Sequence, residues 1–279
     1  SIFTELGVEV TMLDRAPRPL GFLDPELSER FVQSLENAGS RYLPNRRVAS
    51  VAFDGVSEVL TELDDGEVVR SRKVLCALGR VANLEGLGIE SVGLTTNARG
   101  HLEVDEHGRT ACSHIYAVGD VVGFPALAAT SMDQGRHAAR HALGATPTAA
   151  SARIPVGIFT IPELSAVGLT EDAARAERGD IIVGRARMSE VARGLISASE
   201  DGILKLVVDA DSLALLGAHI AGDGATELVG IAQMAIAAGM SVHAFVENIF
   251  NFPTLAEAYR IAALDVLRQH EGRLRPAAE

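Results

Sequence analysis

Tryptophan is absent from the 279 residues, and aromatic residues of all kinds make up only 4%, so the core must be aliphatic. Cysteine is nearly absent. Cys76 and Cys112 lie far apart and form no C-x-x-C pattern, which predicts two buried or idle thiols in a reducing compartment. An excess of positive charge is also missing. With 25 Lys and Arg against 37 Asp and Glu, the formal net charge is -12, which argues against a broad nucleic-acid or anionic-membrane surface. No uninterrupted apolar run approaches the ~20 residues of a membrane span, and no signal-peptide pattern opens the chain. A cytoplasmic protein with neither nucleic acid nor membrane as partner is expected. What is present is an ordinary globular mixture, 47% hydrophobic and 22% charged, long enough for two domains of roughly 150 residues each.

The first stretch, SIFTELG, reads as the end of a helix, with Ile2, Phe3 and Leu6 at helical spacing and Gly7 as its stop. VEVTMLD then alternates like a strand and ends at Asp14. A helix and a strand ending in an acid make half of a dinucleotide-binding unit, whose G-x-G-x-x-G turn lies ~20 residues before that acid. Here that place falls upstream of Ser1. A helix is predicted over 25–39, starting after Asp24-Pro25. Strands follow in RVASVAFDG, SEVLTELDDG and EVVRSRKVLCAL, with Asp65-Gly66 as a hairpin turn. VLCALGR suits a strand of a covered sheet, and HIYAVGDVVG (114–123) suits another that stops at Gly119-Asp120. A helix is expected over 126–143, and the small, polar stretch 144–153 as a linker. Beyond it come a strand near 155–160, a helix at 170–178, a hairpin through ILKLVVDADSLALLGAHI, and helices near 225–239, 242–249 and 254–269. That order suggests an α+β domain after an α/β one.

Several residues carry candidate chemistry. Asp14, at a strand end, can accept from the ribose 2′-OH of NAD, and Arg15 and Arg18 can hold the 2′-phosphate of NADP. The plain alternative is an acidic strand end with two solvated arginines. Gly119 permits a close approach to a ligand and Asp120 can accept from sugar hydroxyls; the alternative is a turn after a core strand. Thr254-x-x-Glu257 is a capping box, with Leu255, Ala258, Tyr259, Ala262 and Val266 as the apolar face of its helix. His137 and His141 stand four apart on a helix, a zinc-compatible spacing without a third ligand in view, and no metal is expected. His219 reads as structural.

In order along the chain, LDRAPRPLGFLDPEL, ALGR, IYAVGD, IPELSAVGLTE, GAHIAGDGATELV and FPTLAEAYR resemble the pyridine nucleotide–disulfide oxidoreductase family. The resemblance runs from about residue 2 to 270. It implies a two-dinucleotide-binding-domain flavoprotein fragment: the C-terminal part of an NAD(P)-binding domain (1–80), the second segment of an FAD-binding domain (81–150), and a dimer-interface domain (151–279). By that resemblance FAD is the cofactor. Gly79 and Arg80 lie at the crossing between domains, and Asp120 contacts the ribityl chain. The helix starting at Leu127 and Ala128 turns its positive end to the flavin. Family members that reduce disulfides pair a His with a Glu near the C-terminus; here Glu257 is present and Phe252 stands in the His position. That, with DQGRHAA, resembles the soluble, Si-specific transhydrogenase branch, which implies hydride transfer between NADPH and NAD in a homodimer. No side chain of this chain is assigned an acid–base step, and the fragment alone is expected to be inactive. A dihydrolipoamide dehydrogenase-like reductase and a non-catalytic dimerising module remain open as alternatives.

Overall fold

The computed structural model describes residues 1–145 and 153–274. They belong to two compact units: Ser1–Lys73 with Arg153–Glu279, and Val74–Ala152.

The first unit opens with α1 (Ile2–Glu5), after which Gly7 takes a φ of 80° and stops the helix. The strand β1 (Thr11–Leu13) pairs in parallel with β2 (Arg41–Leu43), and α2 (Pro25–Asn37) is the crossover between them. Asp24 caps α2 by accepting from the Glu26 N–H at 3.1 Å, and Pro25 occupies the first helical position. Leu27, Phe31 and Leu35, four apart, bury one face of α2 against Leu164, Ile203 and Ala221. Next comes an antiparallel sheet of β3 (Val48–Phe53), β4 (Val59–Leu63) and β5 (Val68–Ser71), with the predicted turn at Asp65-Gly66.

The second unit departs from expectation. Among its described residues the only α-helix is α3 (Ala128–Ala142), and no strand longer than an isolated bridge occurs. VLCALGR is exposed coil: Leu75 is 77% and Leu78 92% accessible. HIYAVGDVVG makes a single bridge, Tyr116 to Arg109, and then a 3-10 turn over Gly119–Val122. A covered strand needs hydrogen-bonded neighbours on both sides, and no strand among the described residues lies beside either stretch. Cys76 is exposed and Cys112 half-buried, and both are free thiols. Of the predicted linker, 146–152 lies outside the described residues.

The rest of the first unit is built on an antiparallel sheet. Its spatial order is β6 (Val156–Ile158), β7 (Leu164–Gly168), β10 (Leu215–Ala221), β9 (Ile203–Asp209) and β8 (Ile181–Arg187). Helices α4 (Glu171–Arg178) and α5 (Ala192–Ile196) lie between strands, and α6 (Ala225–Ala237), α7 (His243–Glu247) and α8 (Glu257–Leu274) follow them. Leu204, Leu206, Val208, Ala218 and Ile220 form the largest core with Tyr259, Ala262 and Val266 of α8. Backbone meets backbone there: a Cβ on Gly184 of β8 would lie 2.2 Å from the Ala262 carbonyl oxygen. The α8 start differs from the prediction. Glu257 accepts from the Thr254 N–H at 3.4 Å, but the Thr254 hydroxyl donates to the Asn251 carbonyl, so only half of the capping box forms.

Candidate cofactor and nucleotide site

The candidate residues fall in both units. In Val74–Ala152, two of them meet. Arg80 Nε donates to Asp120 Oδ2 at 3.0 Å across 40 positions of sequence. Both side chains remain accessible, 83% and 40%, so the pair is screened by water and its charges stay available. Gly79 has a φ of 106° with open space around its missing Cβ. Gly119 is constrained from within: at φ 81°, a Cβ would touch Ser131 Oγ of α3 at 3.0 Å. The Gly119 N–H donates to Gln134 Oε1 at 2.7 Å. The Gly119-Asp120 turn is thus fastened to α3, and Gln134 is a contributor the sequence reasoning did not single out, although it lies inside the quoted DQGRHAA.

At the start of α3, Leu127 is the N-cap without a side-chain cap, and no acid stands in the first turn. Thr130 uses its hydroxyl to donate to the Pro125 and Leu127 carbonyls. The first-turn N–H groups, beginning at Ala128, therefore keep their positive potential for an anionic group. His141 hydrogen-bonds Tyr116 at 2.8 Å and stacks on His107 at 4.1 Å. No group of three or more metal-ligating side chains occurs among the described residues.

In the other unit, Asp14 directly follows β1 and its carboxylate accepts from the Ala16 N–H at 2.9 Å. Arg15 is exposed, and Arg18, also exposed, reaches Glu29 of α2 at 3.4 Å. The three stand on one loop, residues 14–24, between β1 and α2.

A second constellation in this unit escaped the sequence reading. Lys205, 3% exposed, sits among the apolar residues Ile203, Leu204, Leu206, Val207 and Val208 of strand β9. Its Nζ lies 2.9 Å from Asp24 Oδ1, 2.9 Å from Glu171 Oε2 and 3.3 Å from Glu26 Oε2. Arg185 of β8 joins through Glu26 at 3.0 Å. His219 of β10 stands opposite Lys205 in register and bonds the Leu169 carbonyl through Nε2 at 2.9 Å. Burial pushes the Asp24 carboxyl up, but the Lys205 hydrogen bond and the charges of His219 and Lys205 outweigh it and leave it lowered. Burial pushes Lys205 down, and its hydrogen bonds to Asp24 and Glu171 reverse that, leaving it raised. For His219 burial wins, and its imidazole is held below its ordinary value. The signal in the sequence was a lone cation at an inward position of ILKLVVD.

At the C-terminal end, Phe252 is 69% exposed.

Comparison with known proteins fits this arrangement. Residues 1–135 match the family model described as pyridine nucleotide-disulphide oxidoreductase, and residues 154–263 match the dimerisation domain of the same group. The chain belongs to the pyridine nucleotide–disulphide oxidoreductase family. Among curated relatives, soluble pyridine nucleotide transhydrogenases of Mycobacterium bovis and Marinobacter nauticus are 41% and 40% identical over 96% of this chain. The chain spans 57% and 58% of their lengths. Among solved structures, LpdA of Mycobacterium tuberculosis superposes with a TM-score of 0.84 at 29% identity, over 98% of this chain and 58% of that one. The HOCl-induced flavoprotein disulfide reductase RclA of Escherichia coli superposes with 0.89 at 26% identity, over 94% of this chain and 60% of that one.

Proposed function

We propose that this chain is part of a cytoplasmic, homodimeric flavoprotein that transfers hydride between NADPH and NAD, with Si-face specificity. The observation that carries the reading is at the C-terminal end. Where the family's disulfide reductases place an imidazole, this chain has an exposed Phe252, and the neighbouring Glu257 carboxylate is turned onto the Thr254 N–H. A thiol-linked reduction needs a base there; hydride transfer between nucleotides does not. The 41% identity to a transhydrogenase supports the same choice.

FAD, when bound, supplies reversible two-electron acceptance. The unsatisfied first turn of α3 and the accessible Arg80–Asp120 pair are chemically suited to such a group. In this reading Asp120 accepts from the ribityl hydroxyls, and Gly79 and Gly119 let the chain approach. Arg80 holds Asp120 in place, while Leu127 and Ala128 present the positive helix end. Asp14 accepts from the ribose of NAD; Arg15 and Arg18 grip the 2′-phosphate of NADP. Residues 1–80 then serve the nucleotide, 81–150 the flavin, and 151–279 the subunit interface.

The test uses the full-length polypeptide, assayed for NADPH-to-NAD⁺ transfer and for NADH-dependent lipoamide reduction. Transfer without lipoamide reduction is expected, and Phe252→His should leave that pattern intact. Robust lipoamide reduction would move the protein to the reductase class that RclA exemplifies. The double variant Arg15→Ala, Arg18→Ala should raise the NADPH KM roughly 10–150-fold, the equivalent of about 1.5–3 kcal/mol of charge-assisted contact, with little change for NADH. Equal effects on both nucleotides would remove the phosphate role. Residues 1–279 alone, mixed with FAD and desalted, should emerge colourless.

A further inference from the structure

The loop of residues 14–24 is held at its two ends by different parts of the fold. Its front is local: Ala16 is fixed by Asp14, its carbonyl accepts from the Asn45 N–H at 3.2 Å, and the Tyr42 hydroxyl reaches the same carbonyl at 3.3 Å. Its rear hangs on α2. The Leu20 carbonyl accepts from the Leu23 N–H at 2.9 Å and from Ser28 Oγ at 3.5 Å, and Arg18 pairs with Glu29. The N-terminus of α2 is in turn fastened at Asp24. That carboxylate is fully buried; it accepts from the Glu26 and Glu171 backbone N–H groups, and both its oxygens accept from the Lys205 ammonium, at 2.9 and 3.1 Å. Lys205 stands on the middle strand of three, between β8 and β10, where backbone hydrogen bonding fixes it from both sides. The chain of contacts runs from a strand bonded on both sides, through the Lys205 ammonium and its carboxylate partners Asp24, Glu26 and Glu171, to a helix start, to Arg18.

We propose that Lys205 is a positioning residue for nucleotide selection: through Asp24 it sets the start of α2 and thereby the place of Arg18, without itself touching nucleotide. Asp14 and Arg15, anchored from β1 and β2, do not depend on it. The selectivity part of this inference rests on the nucleotide roles proposed above; the anchoring part does not.

Two measurements on the full-length holoenzyme separate them. The first is hydrogen exchange in Lys205→Met. Exchange at the Leu23, Glu26 and Leu27 N–H groups, which are hydrogen-bonded at the rear of the loop and the start of α2, should accelerate about tenfold or more, while the Asp14 and Ala16 N–H groups and the strands of 203–221 keep the parent's rates. Unchanged exchange at Leu23, Glu26 and Leu27, or an even rise across the unit, overturns the inference. Removing one partner of a buried pair is strongly destabilising, so Lys205→Met can fail to fold. Asp24→Asn then carries the same measurement, since Asn still caps the helix while losing the charge. The second measurement is affinity. The anchor variant should weaken NADP⁺ about tenfold, roughly 1.4 kcal/mol, and NAD⁺ by less than about twofold. The loss should vanish in an Arg18→Ala background and persist in an Arg15→Ala background. Equal losses for both nucleotides, or additivity with Arg18→Ala, overturn the selectivity role. If Arg18→Ala has no effect on NADP⁺ in the parent, the nucleotide reading itself fails, and the exchange result still decides the anchor.

Discussion

Two apolar runs of similar texture have opposite fates. Residues 74–78, VLCAL, are exposed coil, whereas residues 203–208, ILKLVV, form a fully buried strand that even takes in a lysine. Composition does not separate them; neighbours do. The strand β9 has β8 on one side and β10 on the other, and α8 covers it through Tyr259, Ala262 and Val266. VLCAL has no partner strand among the described residues. Strand formation is a property of a pair, and burial of a charge is a property of a cluster.

The contrast can be broken or sharpened. The largest effect is expected from Gly184→Val, which forces a side chain into the α8 backbone and should destabilise the first unit by about 3 kcal/mol or more, read by urea unfolding. Failure to shift the midpoint would mean that α8 is not seated on β8. Next, Leu206→Ala should cost about 2–5 kcal/mol, while Leu78→Ala, at a 92% exposed position, should stay within about 0.5 kcal/mol. A large loss at Leu78 would show that this run is covered in solution. Smaller is the pH effect of His219. Its proton affinity is lowered in the fold, so the unfolded chain binds the proton more readily. Stability is therefore full above about pH 6.5 and falls with acidification, by at most about 1.4 kcal/mol per pH unit. Thermal midpoints at pH 7.5 and about pH 5.5 should diverge in the parent and converge in His219→Gln, which keeps a donor for the Leu169 carbonyl. Smallest is Gly135→Ala in α3, where nothing lies within 4 Å of the added Cβ. It should stabilise the helix by about 0.5–1 kcal/mol, seen as slower exchange in 128–142.

What was legible in the sequence was local. The start of α2 after Asp24, the stop at Gly7, the Asp65-Gly66 turn and the face of α8 follow from neighbouring residues, and all are present. The strands β7 and β8 were not anticipated. In β8 the alternation is interrupted by Gly184, whose identity answers to α8 some 80 residues away, and by Arg185, which answers to α2. At the candidate site the residue types were readable, but the pairing of Arg80 with Asp120 and the fastening of Gly119 to Gln134 were not. The half-formed box at Thr254 shows the limit from the other side: the spacing was right, and the hydroxyl found a nearer carbonyl.

The Asp24–Lys205 contact spans 181 positions. At ~5–20 residues per second, a ribosome needs roughly 10–40 s to travel that distance. For most of that interval α2 can be capped by Asp24 but lacks its apolar floor, because Leu164 is made some 140 residues after the cap, Ile203 just before Lys205 and Ala221 after it. The rear of the loop, which carries Arg18, therefore emerges early and takes its final form late, whereas Asp14 and Arg15 need only β1 and β2. A pause or truncation between codons 24 and 205 leaves the apolar face of α2, Leu27, Phe31 and Leu35, open to chaperones for as long as the delay lasts.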